Sequence, residues 1–364
     1  MLLVLPMCPG EDCSAAAALS CFQYFALEHQ GDFDVRWLRG SASELIFSPW
    51  ARSIQHNGGR ILGGKRVSNI SLGQAETIAD EADMDDKGST VESLKGGAAV
   101  RVETSDGEVF EADAIVLAVG ISAAQFLIRN SSHLSSLPAL RAVMNLRGVD
   151  VVAVRLFFKE RLDDDLLRAA SVAGGSMAPA GLEATGLTFY HLNQLQDEFR
   201  DEQASVVEVD FYHASTLLPL EDHGIMEIAL VALNTAMPEL SLSSGMLEDY
   251  AVVRAPRAVS HFFPGAFQHI PEVQPSKASL PQLFFCGDWI ARGGHRSWSQ
   301  EKALVEGRRA AAAACRQLKV REGYYPVILS VEDDEPHVTV GRMAARSLRN
   351  WVPGPLQAGF SRRL

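Results

Sequence analysis

"PQLFFCGDWIARGGHRSWSQEKALVEGRRAAAAA" spans Pro281 to Ala314, and its order of residue types decides the fold. "LFFC" is a short apolar run of the length and composition of a buried strand. It exits through Gly287-Asp288, which places a carboxylate at the strand's C-terminal end. In open α/β sheets that end is where ligands bind. After a loop, Ser297-Trp298-Ser299-Gln300 fits a capping box, with Gln300 three residues after Ser297. A long Ala-rich helix then begins, and small side chains such as Gly307 let it approach a sheet closely. Two consequences follow. Asp288 can accept a hydrogen bond from a sugar-like hydroxyl. The helix start near Trp298 and Ser299 offers unpaired N–H groups and the positive end of a dipole. Read more plainly, the same residues are a turn acid and an ordinary cap.

Working outward, "NGGRILGGKR" (Asn57–Arg66) contains G-x-x-x-x-G-K, the start of a phosphate-binding loop. Arg66 stands where that motif needs Ser or Thr. The flanks are also reversed. Leu45, Ile46, Trp50 and Ile54 precede the glycines at helical spacing, with Ser43 as a cap, and Val67, Ile70 and Leu72 follow in a strand-like pattern. The order helix, turn, strand makes Gly58 a helix-ending residue at positive φ. "AAVRVETSDGEVFEADAIVLAVG" (Ala98–Gly120) carries the clearest strand signal. Val100, Val102 and Thr104 alternate with polar residues, and Asp106-Gly107 marks a hairpin turn. A return strand follows through Val109 and Phe110, and "AIVLAVG" reads as a strand buried on both faces.

The remaining chain is consistent with a second α+β region. Residues 14–29 have a helical pattern, 150–158 and 205–212 read as strands, and "HGIMEIALVALNTAMPEL" reads as a helix. Residues 73–97 are acidic and form an expected insertion. Among 364 residues, 33 Lys and Arg face 45 Asp and Glu, a net charge of −12, which argues against a general nucleic-acid binder. No apolar run reaches the roughly 18 residues of a spanning helix. Cys8, Cys13, Cys21, Cys286 and Cys315 form no C-x-x-C, so buried free thiols are the plainer reading and no metal site is expected. Beyond about residue 325, Arg342, Arg346 and Arg349 share a helical face, a pattern compatible with peripheral membrane contact.

The 281–314 stretch resembles the C-terminal flavin motif of the FAD-dependent amine oxidase and phytoene (carotenoid) desaturase superfamily. "DVRWLRGSASELIFSPWARSIQHNGGRILGGKRVSNI" and "DGEVFEADAIVLAVG" resemble two further blocks of the same superfamily, in the same order. The resemblance implies an α/β (α+β) fold: an incomplete Rossmann-like FAD-binding domain (residues 36–125 and 275–320) with a mixed-sheet substrate domain (1–35 and 126–274) and a tail (321–364). It implies FAD contacts from Val67, Ala118, Gly120, Gly287, Asp288, Trp298 and Ser299. It further implies hydride transfer from an apolar, isoprenoid-type substrate, with quinone or oxygen as electron acceptor, and a plastid location if the source is photosynthetic, otherwise the cytoplasm. Phe157, Phe158, Phe189, Tyr190, Phe211, Tyr212, Phe262 and Phe263 are candidate tunnel residues, with plain core packing as the alternative. The catalytic base is unassigned; of His191, His213, His261 and His295, His295 is the first to test because it lies in the presumed flavin loop. An amine oxidase proper would want a lysine near the flavin, for which Lys159 and Lys277 are available, and a non-catalytic isoprenoid- or partner-binding homologue is the third reading. One block is missing: residues 1–56 hold no G-x-G-x-x-G. The chain is therefore expected to start after the superfamily's first βαβ unit, to bind FAD weakly alone and to expose an unpaired sheet edge.

Overall fold

The computed structural model describes residues 4–27, 36–72, 100–174, 178–276, 280–290, 299–320, 326 and 335–349. Ser14 precedes α1 (Ala15–Phe22), which continues as a π-helical turn to Leu27. A second π-helical turn, Ser43–Phe47, runs into α2 (Ser48–His56). The chain turns out of α2 as the sequence suggests. Gly58 takes φ +83°, and the amides of Gly58 and Gly59 return to the carbonyls of Gln55 and Ile54. A Cβ at Gly59 would meet Ile54 Cγ2 at 2.6 Å, so the second glycine is needed for the close return. Lys65 holds no phosphate-like position. It pairs with Asp106 at 2.6 Å and with Glu108, and the Lys65 ammonium, helped by the Thr104 hydroxyl, holds the Asp106 carboxyl down at about 2.

Strand β1 (Val67–Leu72) pairs antiparallel with β2 (Val100–Thr104), which pairs with β3 (Val109–Ala112) across the Asp106-Gly107 turn, where Gly107 has φ +87°. β4 (Ile115–Leu117) follows at once. Ile115 and Leu117 face the core, but Val116 is 41% exposed and Ala118 is exposed, so the expectation of burial on both faces fails at β4. Three helices come next: α3 (Ile121–Asn130), α4 (Ser132–Ser136) and α5 (Pro138–Val143). They pack with β1, β4 and the Cys8–Ala17 segment into one hydrophobic core that includes Leu117, Leu127, Leu140 and Phe285. Cys8 and Cys13 are buried free thiols in this core.

A second core lies between one helix and one sheet. The five strands β5 (Arg147–Phe158), β6 (Ala170–Ala173), β7 (Gly186–His191), β8 (Val206–Tyr212) and β9 (Leu247–His261) are ordered β6-β7-β8-β5-β9. Two short helices, α6 (Leu192–Leu195) and α7 (Asp197–Arg200), link β7 to β8. The overall class, mixed helix and sheet, is as expected, but this sheet is antiparallel at every pairing rather than mixed. Helix α8 (Asp222–Ala236) covers one face through Ile225, Met226, Ala229, Leu230 and Leu233, at the spacing of a helix stripe. Phe158, Phe189 and Phe211 are part of that core, so these three candidate tunnel residues are packing residues instead. Phe262 is buried in the first core. The polar sheet face opposite α8 is less covered, and Phe157, Tyr190 and Tyr212 point to it by alternation with their buried neighbours.

The decisive stretch forms β10 (Leu283–Phe285), α9 (Gln300–Gln317) and, beyond it, α10 (Pro336–Arg349). β10 pairs in parallel with β4, Phe285 opposite Leu117, as a sheet of two strands. Each has one edge without a strand partner among the described residues. α9 lies on one face of this pair through Ala310, Ala313 and Ala314 against Phe284 and Cys286. The small side chains expected from the Ala run are what permit that approach. No described helix is long and apolar enough to cross a membrane.

Candidate functional site

β4 and β10 end side by side, and this shared rim is where the site forms. Gly287 takes φ +136°, and a Cβ there would lie 3.3 Å from the Trp289 ring. Only glycine allows this exit without strain. Trp289, buried beneath the turn, donates from Nε1 to the Val119 carbonyl at 2.9 Å, and Cys286 N donates to Leu117 O at 3.1 Å. These bonds fasten the turn after β10 to the end of β4. They bring Asp288 to the rim with Ala118 and Gly120, as the sequence order requires.

Asp288 is half-buried. Burial raises its carboxyl above the usual range; Lys302, its own backbone amide, the Ser260 hydroxyl and the Trp289 amide oppose that rise. Ser260 reaches it from the end of β9, so the rim also touches the five-stranded sheet. The start of α9 faces the same place. Ser299 is its N-cap, with Oγ accepting from Lys302 N at 2.9 Å. The cap is thus Ser299, not Ser297, and the position facing it is Lys302, so no capping box forms at Ser299. Ser297, Trp298 and His295 lie outside the described residues, as do Lys277 and the acidic stretch 73–97. Val67 opens β1 against the same core and is half-buried.

Lys302 and Glu306 escaped sequence reasoning. They are 5% and 1% exposed, and Glu306 bonds Arg309 through Oε1 at 2.7 Å. Lys302 Nζ has no hydrogen-bond partner among the described residues. Burial pulls its ammonium down to about 8, with Glu306 and Asp288 opposing. The described candidate lysine and histidines have protein partners, His213 lying 3.9 Å from the Asp12 carboxylate. Lys159 Nζ donates to Gly245 O at 3.0 Å. His191 is fully buried against Ser205, and burial lowers its ring below the usual range. His261 contacts the Asp12 carbonyl at 3.0 Å. Among the described residues no His, Cys, Asp and Glu group could hold a metal ion.

An acceptor carboxylate, a helix N-terminus and an orphaned buried cation thus converge where two parallel strands end. This donor set fits a flavin dinucleotide, whose ribityl hydroxyls donate and whose ring and phosphates accept. The geometry defines the class: a dinucleotide-binding α/β domain joined to an antiparallel sheet. The flavin containing amine oxidoreductase family matches residues 8–315, and the chain belongs to that family of FAD-dependent oxidoreductases. No curated protein matches it. Solved structures resembling it include a protein assigned as protoporphyrinogen oxidase from Exiguobacterium sp. 255-15, with 12% identity, TM-score 0.43, 62% of this chain and 45% of that one. A reduced UDP-galactopyranose mutase gives 13%, 0.45, 61% and 45%. An oxidoreductase from Methanosarcina mazei gives 15%, 0.41, 69% and 50%. The chain spans about half the length of these structures or less, at 45%, 45% and 50%.

Proposed function

We propose that the protein takes a hydride from a C–H bond of an apolar, isoprenoid-type substrate, in the manner of a phytoene desaturase-like enzyme. FAD, when bound, supplies the hydride acceptor. Asp288 would accept a hydrogen bond from the ribityl chain and Ser299 would present the α9 amides, while Gly120 leaves open space at the end of β4. The carrying observation is that Ser260 of β9 touches Asp288. The end of β9 therefore carries the five-stranded sheet up to the proposed cofactor rim. The sheet face opposite α8 carries half-buried Val151, Ala153, Phe157 and Tyr190, with Trp37 edge-on to Tyr190 at 5.1 Å, an apolar and aromatic strip beside the polar Arg155, Glu208 and Asp210. Quinone or oxygen would take the electrons onward. Val340 and Met343, 65% and 62% exposed beside Arg342 and Arg346 on α10, support a peripheral membrane contact. A plastid compartment goes with the desaturase reading.

A second reading, amine oxidation, rests on Asp210. Its carboxylate sits on the same open face, opposite Thr188 in register, and burial first, then Glu208, pushes it up to about 7. Thr188 and Tyr212 share a 2.5 Å hydrogen bond beside it, and Tyr190 lies at 2.9 Å from Thr188. A carboxylate among phenols suits a cationic amine. Anaerobic bleaching of flavin absorbance at fixed substrate decides between the two. A carotenoid-type polyene that bleaches it supports the first reading. Bleaching by a polyamine alone would favour the second, and bleaching by neither would reject both.

A further inference from the structure

Lys302 is the buried charge for which the described residues provide no use. An ammonium 95% removed from water with no acceptor among the described residues is costly unless something bound completes it. Its position is defined. It stands three residues into α9, its amide on the Ser299 cap, so its stem begins at the rim where Asp288 leaves β10. Nζ lies 5.8 Å from the centre of the Phe262 ring. Two carboxylates act on it through space, Asp288 and Glu306. Neither takes a hydrogen bond from it. Glu306 serves Arg309 through Oε1, its Oε2 having no partner among the described residues, and Asp288 accepts from Ser260 and backbone amides. Among the described residues the ammonium therefore has three N–H groups with no acceptor, free to meet a bound ligand.

The chemistry of that acceptor follows from the surroundings. Phe262 makes one wall flat and apolar, which suits a ring better than a hydrated diphosphate. The N-terminus of α9 adds a field of the same sign as the ammonium. Both favour an acceptor that gains negative charge, and the N1–C2=O edge of an isoalloxazine does so on reduction. Resting on the assignment of FAD to this rim, we propose that Lys302 faces that edge and makes the bound flavin easier to reduce. Lys302 is then a cofactor-tuning residue, distinct from Asp288, which holds the ribityl chain. The cation stabilises the reduced form over the oxidised form, so the sign is fixed: removing it lowers the potential.

The test is the midpoint potential of FAD bound to the chain, for the unaltered protein and for K302Q, K302M and K302R, with thermal melts to establish folding. Lys302→Met keeps the length of the stem without its charge and carries the test if Lys302→Gln does not fold. The expected result is a loss of at least tenfold in affinity for reduced relative to oxidised flavin, about 30 mV for two electrons. K302R should recover at least half of that shift. Three results would overturn the proposal. One is bound flavin at an unchanged potential. Another is weaker binding of both redox states equally, which would mark a phosphate contact or a structural role. The third is FAD that stays free in solution with every variant and with the unaltered chain even at concentrations that saturate weak binding, which would remove the cofactor assignment as well.

Discussion

The five-stranded sheet and the two-stranded β4–β10 pair are built on opposite principles. The larger sheet is antiparallel, with long strands, and one face is sealed by α8; its stability is spread over many bonds and side chains. The smaller is a parallel pair of three-residue strands, a pairing seldom stable alone. It is held by a few specific devices: Trp289 on Val119, Ala310 of α9 on Phe284, and Leu117 with Phe285 in the neighbouring core. The difference teaches where the chemistry can sit. A self-sufficient sheet provides a wall, whereas strand ends held by a tryptophan strut, a glycine exit and a helix cap leave polar groups free to meet a ligand.

The largest expected effect breaks the wall. Phe211→Ala should cost about 3–5 kcal/mol, because a fully buried ring leaves a cavity beneath α8. Denaturant unfolding measures it, and a cost under 1 kcal/mol would show that this core is not the stabilising one. Next is the pH dependence carried by the open face. Asp210 is raised from its unfolded value of 3.8 to about 7, so its contribution is fully present below about pH 4 and is lost as pH rises through 7. Asp210→Asn should therefore unfold at higher temperature than the unaltered chain at pH 8, with the gap closing at pH 4. A gap that widens on acidification would contradict the burial of this carboxyl.

Smaller effects sharpen the rim. Ser299→Ala removes the only side-chain bond to the α9 amides that the cap makes, and should cost about 1 kcal/mol. Because the same amides face the proposed ribityl site, FAD affinity should fall with it, which a fluorescence titration reads. The smallest effect belongs to the glycine-rich turn. Lys65→Ala breaks exposed pairs with Asp106 and Glu108 and should change stability by at most about 1 kcal/mol. Nucleotide binding should be untouched; a large loss there would restore the phosphate-loop reading of residues 59–65.

Much of this arrangement was legible because it was local. The apolar run at Leu283–Phe285, the glycine at 287 and the Asp106-Gly107 turn each follow from a residue's own backbone preferences. What escaped was set by tertiary partners. β9 did not read as a strand because Pro256 sits inside it; the structure tolerates Pro there since β9 is an edge strand and bulges opposite Asp150, where Arg257 takes φ +52°. Gly148, whose Cβ would lie 2.5 Å from Arg257 O, completes that bulge. Lys302 and Glu306 stand i,i+4 on α9, a spacing whose usual meaning is a solvated helix face, and so gave no signal. Only the packing of α9 onto β10 reveals that both are buried. Trp289 carried no periodic signal, and its role depends on a carbonyl 170 residues away.

The central claim is that Asp288, on the rim shared by β4 and β10, holds the ribityl chain of FAD. Its most direct test is an FAD fluorescence titration of the unaltered chain beside Asp288→Ala, with far-UV circular dichroism to show that both are folded. A loss of at least tenfold in affinity, about 1.4 kcal/mol, is the predicted result for a buried charged acceptor. Equal affinity in two folded proteins would contradict the account.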